Sequence, residues 1–268
     1  MNAQELDKIQ AERERKVYKS DLLINARYSL SVPEQRLILY AISLIKKDDT
    51  AATFYEIDLN TFSKVCGFTG DSYTKAKNLL KGLRDKSCWV TIEGAETTVA
   101  WLDKVKVITG DSAVKIRFDD DMFPYLKDLL EQYQETGRGY TSYILQSVLP
   151  MKCKYSIRLY ELLKAKLKTG DFLEWYYNLD ELKRILECTS YKRYPDFRRY
   201  VLAPAIEEIN KYSDLRADYY TTEKRNISKL YFTITRKTKA EMIQAHHDSL
   251  TALDGKVHYW DIKDGDGK

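Results

Sequence analysis

Residues 191–210 read Y-K-R-Y-P-D-F-R-R-Y-V-L-A-P-A-I-E-E-I-N. Two basic residues, Lys192 and Arg193, lead into a helix opened by Pro195, whose missing N–H costs nothing in a first turn. Phe197, Val201, Ala205 and Ile209 recur every four residues with Leu202 and Ile206 beside them, so one face is apolar. Arg199 and Tyr200 fall on the opposite side with Ala203 and Asn210, while Arg198 projects nearer the apolar edge and has to snorkel outward. Pro204 cannot donate to the carbonyl of Tyr200, which predicts a bend between those two residues. A buried stripe with small or aromatic residues outside and a basic entrance is what a helix entering a DNA major groove requires. Its N-terminal N–H groups also suit a phosphate. The same spacing fits an ordinary amphipathic helix with a solvated basic start.

The rest of the chain decides between these readings. A length of 268 residues suits two domains, and 44% hydrophobic against 31% charged residues is a globular composition. No apolar run approaches the roughly 20 residues that cross a bilayer, so no membrane partner is expected. Cys66, Cys88, Cys153 and Cys188 are widely spaced with no C-x-x-C pair, which points to reduced thiols in a cytoplasm rather than a zinc ribbon. Net charge is only +4, but it is unevenly spread. Residues 149–240 hold 20 Lys and Arg against 12 Asp and Glu, whereas residues 1–148 hold 21 against 22 and residues 241–268 hold 3 against 6. The basic field belongs to the segment that contains the opening helix, a footprint of polyanion binding.

Taken in order, residues 1–19 are charged without an apolar face and read as a mobile arm with at most a nascent helix. Ser31, Pro33 and Glu34 signal a capped helix start, and the helix runs on through the uncharged L-I-L-Y-A-I-S-L-I of residues 37–45. That segment has the composition of an aggregation-prone strand, yet its caps favour a helix buried on more than one side. A strand at 54–59, a helix at 60–66 closed by Gly67, and a helix at 73–86 behind Gly70-Asp71-Ser72 follow. Tyr73, Ala76, Leu80 and Leu83 form the buried stripe of the last helix, and Thr74, Lys77, Asn78 and Lys81 share its opposite face. Strands at 89–93 and 98–107 around Gly94-Ala95 predict a hairpin wing, with another strand at 114–118. A helix at 124–134 and a strand at 140–148 lead to a joint at Pro150.

The order then repeats: helix 154–168, strand 173–177, helix 179–186, the opening helix, and strands 216–223 and 229–236 around a basic tip, Lys224-Arg225-Asn226. Tyr40 and Tyr160, Leu59 and Leu179, Phe62 and Leu182, and Val65 and Ile185 are each 120 positions apart. The expected fold is α+β, two tandem winged-helix DNA-binding domains related by an internal pseudo-repeat. Its parts are a flexible arm (1–19), a first domain (20–148), a second domain (149–240) and an acidic tail without an assigned role (241–268).

Catalytic chemistry is hard to find. There is no P-loop and no H-E-x-x-H, and His246, His247 and His258 all lie near the C-terminus. Asp119-Asp120-Asp121 reads as a solvated turn. No enzyme activity, metal or cofactor is therefore expected. Binding chemistry is richer. Lys77 and Lys81 suit phosphates, and Thr74 and Asn78 suit base edges. Arg199, then Arg198, with Tyr200 beside them, suits guanine reading, while Lys192, Arg193, Lys224, Arg225 and Lys229 suit backbone contacts. Two reading helices, each with a wing, imply two major-groove contacts about one helical turn apart.

Three segments carry a resemblance: Y-S-L-S-V-P-E-Q-R-L-I-L-Y from Tyr28, S-I-R-L-Y-E-L-L from Ser156, and Y-P-D-F-R-R-Y-V-L-A-P-A-I-E-E-I-N from Tyr194. They resemble the iteron-binding plasmid replication initiators, Rep proteins of the mini-F type, over roughly residues 20–240. The resemblance implies a protein that binds double-stranded DNA at origin iterons as a monomer. It also implies a homodimer through the first domain that represses its own promoter at an operator inverted repeat. Origin melting and recruitment of the host replicative helicase and DnaA are implied too. Residues 197–210 would be the main reading helix, with Arg198 and Arg199 at its contacting end, and the first domain would mostly touch backbone. A stand-alone winged-helix transcriptional repressor is the competing reading.

Overall fold

The computed structural model describes residues 3–69, 72–107, 112–223, 225–254 and 257–258. The chain opens with helix α1 (Ala3–Arg13), strand β1 (Lys16–Ser20) and a short helix α2 (Asp21–Asn25). The first winged helix then runs α3 (Val32–Ser43), β2 (Tyr55–Asp58), α4 (Leu59–Val65), β3 (Phe68–Thr69) and α5 (Ser72–Arg84). Four strands follow: β4 (Ser87–Ile92), β5 (Ala95–Ala100), β6 (Leu102–Val107) and β7 (Ala113–Phe118). A 3-10 turn (Phe123–Tyr125), α6 (Leu129–Thr136), β8 (Tyr140–Ile144) and a second 3-10 turn (Leu145–Ser147) connect the halves. The second winged helix is α7 (Lys154–Leu167), β9 (Phe172–Asn178), α8 (Leu179–Ile185), α9 (Tyr194–Phe197), a π turn (Arg198–Leu202), α10 (Ala203–Tyr212), β10 (Leu215–Tyr220) and β11 (Lys229–Arg236). Helix α11 (Lys239–Asp254) and strand β12 (Val257–His258) follow it.

The pseudo-repeat is structural. Each half carries a three-stranded antiparallel sheet of equivalent order, β2-β7-β6 and β10-β11-β9 read from opposite edges. Even the junction chemistry recurs 120 positions apart. The Asp58 carboxylate accepts from the Asn60 N–H at 2.9 Å, and the Asn178 side-chain oxygen accepts from the Asp180 N–H at 3.0 Å, each capping the next helix. The first N–H of each helix donates to the strand that closes the wing, Leu59 to the Ser112 carbonyl (3.1 Å) and Leu179 to that of Ser228 (2.8 Å).

The first wing differs from the expected one. The strand read over 98–107 breaks at the buried Trp101, which packs edge-on against Tyr28 at 4.9 Å. Trp101 and Leu102 are both buried, so the alternation changes phase there and the chain changes sheets. Strands β4 and β5 are an inserted hairpin, and the wing is β6–β7, its tip at residues 108–111 lying outside the described residues. The helix expected at 124–134 is likewise displaced. Asp128 takes φ +53° and the helix starts at Leu129, with the Gln132 amide donating to the carbonyls of Pro124 and Lys127 at 2.8 and 2.9 Å.

Residues 3–19, expected as part of a mobile arm, are seated. Ile9 and Arg13 are buried. The Arg13 guanidinium donates to the carbonyls of Val65 (3.0 Å) and Lys64 (3.1 Å) at the end of α4, and β1 pairs antiparallel with β8. Asp7, Lys8, Glu14 and Lys16 stay exposed, but Arg13 and Lys19 are buried with internal partners. Residues 239–254, expected within a tail of unassigned role, form α11 with Ala245, Ser249 and Leu253 buried.

A continuous core joins both halves through α3 and α7. Every residue of α3 is buried, and Glu34 closes its start by accepting from the Ser31 N–H (2.8 Å) and hydroxyl (2.9 Å). Between the halves, the Gln35 amide donates to the Lys154 carbonyl at 2.9 Å and Arg36 to that of Met151 at 3.0 Å. Deeper in, Lys19 of β1 donates to both oxygens of Glu161 on α7 at 2.8 and 2.9 Å. Tyr143 and Arg158 complete that cluster, Tyr143 on Glu161 (2.5 Å), Arg158 on the Ala26 carbonyl (2.7 Å) and Tyr28 hydroxyl (2.7 Å).

Candidate nucleic-acid interface

The π turn explains the shape of the helix expected to read DNA. Phe197 and Ile206 are nine residues apart, so an unbroken α-helix at about 100° per residue would set them on opposite sides. Both are buried, as are Val201, Leu202, Ala205 and Ile209. The wide turn retards the second half of the helix and gathers these six into one stripe. Its signature is the Ala203 N–H, which donates to the Arg198 carbonyl five residues back. Pro204 supplies no N–H at the next position, where a regular helix would need one. The bend was expected between Tyr200 and Pro204; the irregularity found is a π turn over Arg198–Leu202, ahead of the proline.

Opposite the stripe, Arg198, Arg199 and Tyr200 are all exposed. Arg198 is steadied by Tyr219 of β10, its Nε donating to the Tyr219 hydroxyl at 3.3 Å. The Arg199 guanidinium lies 5.3 Å from the centre of the Tyr200 ring, and that ring stacks on Tyr191 at 5.9 Å. Arg193 clamps Asp196 through two hydrogen bonds of 2.7 and 3.1 Å, while Lys192 is exposed at the helix entrance. Asn210 is not on this face: its side chain exchanges two hydrogen bonds with Ala217 of β10, at 2.8 and 2.7 Å.

The second wing lies beside the helix. Its loop is braced by Glu223, whose carboxylate accepts from the Ser228 N–H (2.5 Å) and hydroxyl (2.7 Å); these bonds hold it below the usual carboxylate range. Arg225 is exposed, Lys224 lies outside the described residues, and the Lys229 ammonium sits 4.8 Å from the centre of the Tyr176 ring. Sequence reading missed the aromatic component. Tyr220, Tyr231 and Tyr176 stand in one row across three strands, with rings 5.1 and 5.6 Å apart, and Tyr219 reaches the helix from the other sheet face. The tyrosines of 219–220, 231 and 176–177 were visible in the sequence, but strand register was needed to align them.

In the first domain, Thr74, Lys77, Asn78 and Lys81 all lie on α5, with Asn78 and Lys81 exposed and Lys77 half-buried. Leu80 and Leu83 are buried beneath them. The wing strands β6 and β7 carry Lys104, Lys106, Lys115 and Arg117, of which Arg117 binds Asp103 at 2.8 Å and Lys115 binds Glu56 at 3.1 Å. In the second wing, Arg216 and Arg236 are likewise paired, with Glu241 and Asp171. Among the described residues, no group of three His, Cys, Asp or Glu side chains is placed to hold a metal, and no helix is long and apolar enough to cross a membrane.

The chain is 24% identical over 210 residues to a replication initiation protein of Escherichia coli, covering 75% of this chain and 63% of that protein. The chain thus spans somewhat under two thirds of that relative's length. A crystallised WH1 domain of a replication protein isolated from a multiple sclerosis patient is 24% identical, covering 42% of this chain and 92% of that domain, with a TM-score of 0.33. Family models for the initiator replication protein match in two places, the WH1 domain over residues 16–164 and the WH2 domain over residues 178–234. The chain therefore belongs to the initiator replication protein family and carries its two winged-helix domains in tandem.

Proposed function

We propose that this protein initiates plasmid replication by binding repeated duplex sites, the iterons of an origin, as a monomer. The observation that carries the reading is the exposed Arg198-Arg199-Tyr200 face of the second domain's helix, backed by Tyr219 and flanked by a wing bearing Arg225 and Lys229. Two planar guanidinium forks beside an aromatic ring match base-edge reading, and the wing supplies phosphate contacts. On this reading the first domain adds a second contact through Thr74, Lys77, Asn78 and Lys81 on α5. As a dimer the protein would repress its own promoter, and on the origin it would engage the host replicative helicase and DnaA.

The dimer reading has support in the first half of the chain. Tyr18, Leu130, Tyr133 and Ile144 are large apolar side chains left exposed around the two-stranded β1–β8 sheet, next to a cavity of about 460 Å³ between α3 and α6. An exposed apolar patch of this kind suits a contact between two copies of the chain.

The test is a replication assay. A plasmid bearing the native origin, with its own initiator gene deleted, should be maintained when the intact chain is supplied in trans and lost when the Arg199→Ala chain replaces it. Maintenance without any copy of the chain would refute initiation, and repression of the promoter without origin activity would favour the repressor reading.

A further inference from the structure

Helix α11 lies beyond both segments matched by the initiator family and is held at both ends by different domains. Its start belongs to the second. The Thr238 N–H and hydroxyl each donate to Glu241 at 2.8 Å, closing the helix onto the end of β11, and Glu241 also pairs with Arg216 of β10. Beside it, Lys237 donates to the carbonyls of Asn210 and Ser213 (2.8 Å to the latter), which close the reading helix α10. The middle crosses the joint, where the buried Ser249 hydroxyl donates to the Gln146 carbonyl at 3.0 Å. Its end belongs to the first domain. Leu253 is buried with its carbonyl oxygen 2.3 Å from where a Cβ on Gly67 would stand, and Gly67 holds φ +69°. Asp254 meets Arg13 at 3.0 Å, the same arginine that caps α4, and β12 pairs in parallel with β3. Gly67 and β3 lie between α4 and α5, within the helix–turn–helix of the first domain.

We propose that α11 is a strut that fixes the first domain's α4–α5 unit against the second domain's reading helix, so that the two domains accept duplex half-sites at one set spacing. The inference rests on the reading that both domains bind one duplex. Helix α7, anchored by Glu161 in the first domain and packed on α10 in the second, is one link between the halves. The other bonds between the halves, from Gln35 and Arg36, gather at the start of that same helix. The ends of α11 attach elsewhere on both bodies and stiffen the pairing against rotation about α7. Leu253, with Asp254, is then a positioning residue for recognition, although it faces no DNA.

The experiment uses the full chain and a duplex that the wild-type protein selects from a randomised library, with both half-sites mapped by footprinting. One base pair inserted between the half-sites turns them relative to each other by about a tenth of a helical turn and should lower wild-type affinity about tenfold or more. In the Leu253→Asp chain the penalty for the insertion should shrink to about threefold or less, while binding to random duplex stays unchanged. Asp254→Ala, which removes only the partly exposed carboxylate, should shrink the penalty by a smaller amount and serves alone if Leu253→Asp does not fold. A penalty undiminished in the folded variants overturns the strut. A wild-type chain that selects no two-part duplex overturns the duplex reading itself, and the strut with it.

Discussion

Arg199 and Arg225 are both exposed arginines in the basic half of the chain, yet their surroundings give them different tasks. Arg199 stands on a rigid helix above the stacked ring of Tyr200, whereas Arg225 sits in a hairpin loop. Arg199→Ala should therefore cost about 1–3 kcal/mol on the selected duplex and little on random DNA. Arg225→Ala should weaken both to a similar degree and reduce the salt slope by about one. Binding titrations on both duplexes across a salt series separate the two outcomes, and equal loss on both duplexes would remove Arg199 from base reading. Glu161 is the internal counterpart. Burial pushes its carboxyl up, but Lys19 and Arg158 outweigh that and hold it below its ordinary value of 4.5. The ion pair's contribution is then complete above that value and is lost as pH falls beneath it, because the unfolded chain takes up the proton first. Glu161→Gln should cost about 3–5 kcal/mol near pH 7, since it leaves Lys19 buried without its counterion. Urea melts at pH 7 and pH 4 should show the wild type and variant drawing together on acidification.

At the scale of the element, magnitudes decide what holds the π turn. Regularising it would swing Phe197 and Val201 out of the core, at about 1.5–3 kcal/mol for each large side chain. The gain from one restored backbone hydrogen bond is only about 1 kcal/mol. Packing wins, so Pro204→Ala should leave specific duplex affinity unchanged and the melting temperature equal or higher. Loss of specific binding in that variant would show that the proline itself sets the turn. The same contest applies to α3: residues 37–43 of the strand-forming segment 37–45 are held helical by burial and the Ser31–Glu34 cap, while Leu44 and Ile45, expected in the helix, lie past its end. Ile45 is only half-buried at the rim of the cavity, so Ile45→Lys should be tolerated in the fold. It should also slow β-rich aggregation on mild heating, followed by thioflavin fluorescence. These elements were readable in the sequence because period, the Ser31 cap and the repeat of Tyr40, Leu59 and Phe62 at Tyr160, Leu179 and Leu182 agreed. The inserted hairpin was not, because the phase change at Trp101-Leu102 is a single residue in an apolar run. The seated α1 was not either, since Arg13 and Lys19 look solvated until the carbonyls of α4 and the carboxylate of Glu161 are placed around them.

At the scale of the molecule, the two halves share an architecture and divide the charge. The second half couples its basic face to tyrosines, while the first leaves apolar side chains exposed near β1 and β8. If that patch is the self-association surface, Leu130→Glu should raise the dimer dissociation constant about tenfold or more without changing monomer binding to a single duplex site. Sedimentation over a concentration series reads this directly, and an unchanged dissociation constant would place the dimer contact elsewhere. The meeting of Arg13 with Asp254 has a consequence for how the chain acquires its shape. These residues are separated by 241 positions, among the longest-range contacts in the fold. Closing so large a loop costs entropy before any contact repays it, so this contact should form late in folding. On the ribosome, α4 would carry α1 long before α11 emerges. Because β11 ends at Arg236 and α11 begins at Lys239, a nascent chain would complete its second half and acquire the strut within nearly the same stretch of synthesis, the first half having waited alone for most of it.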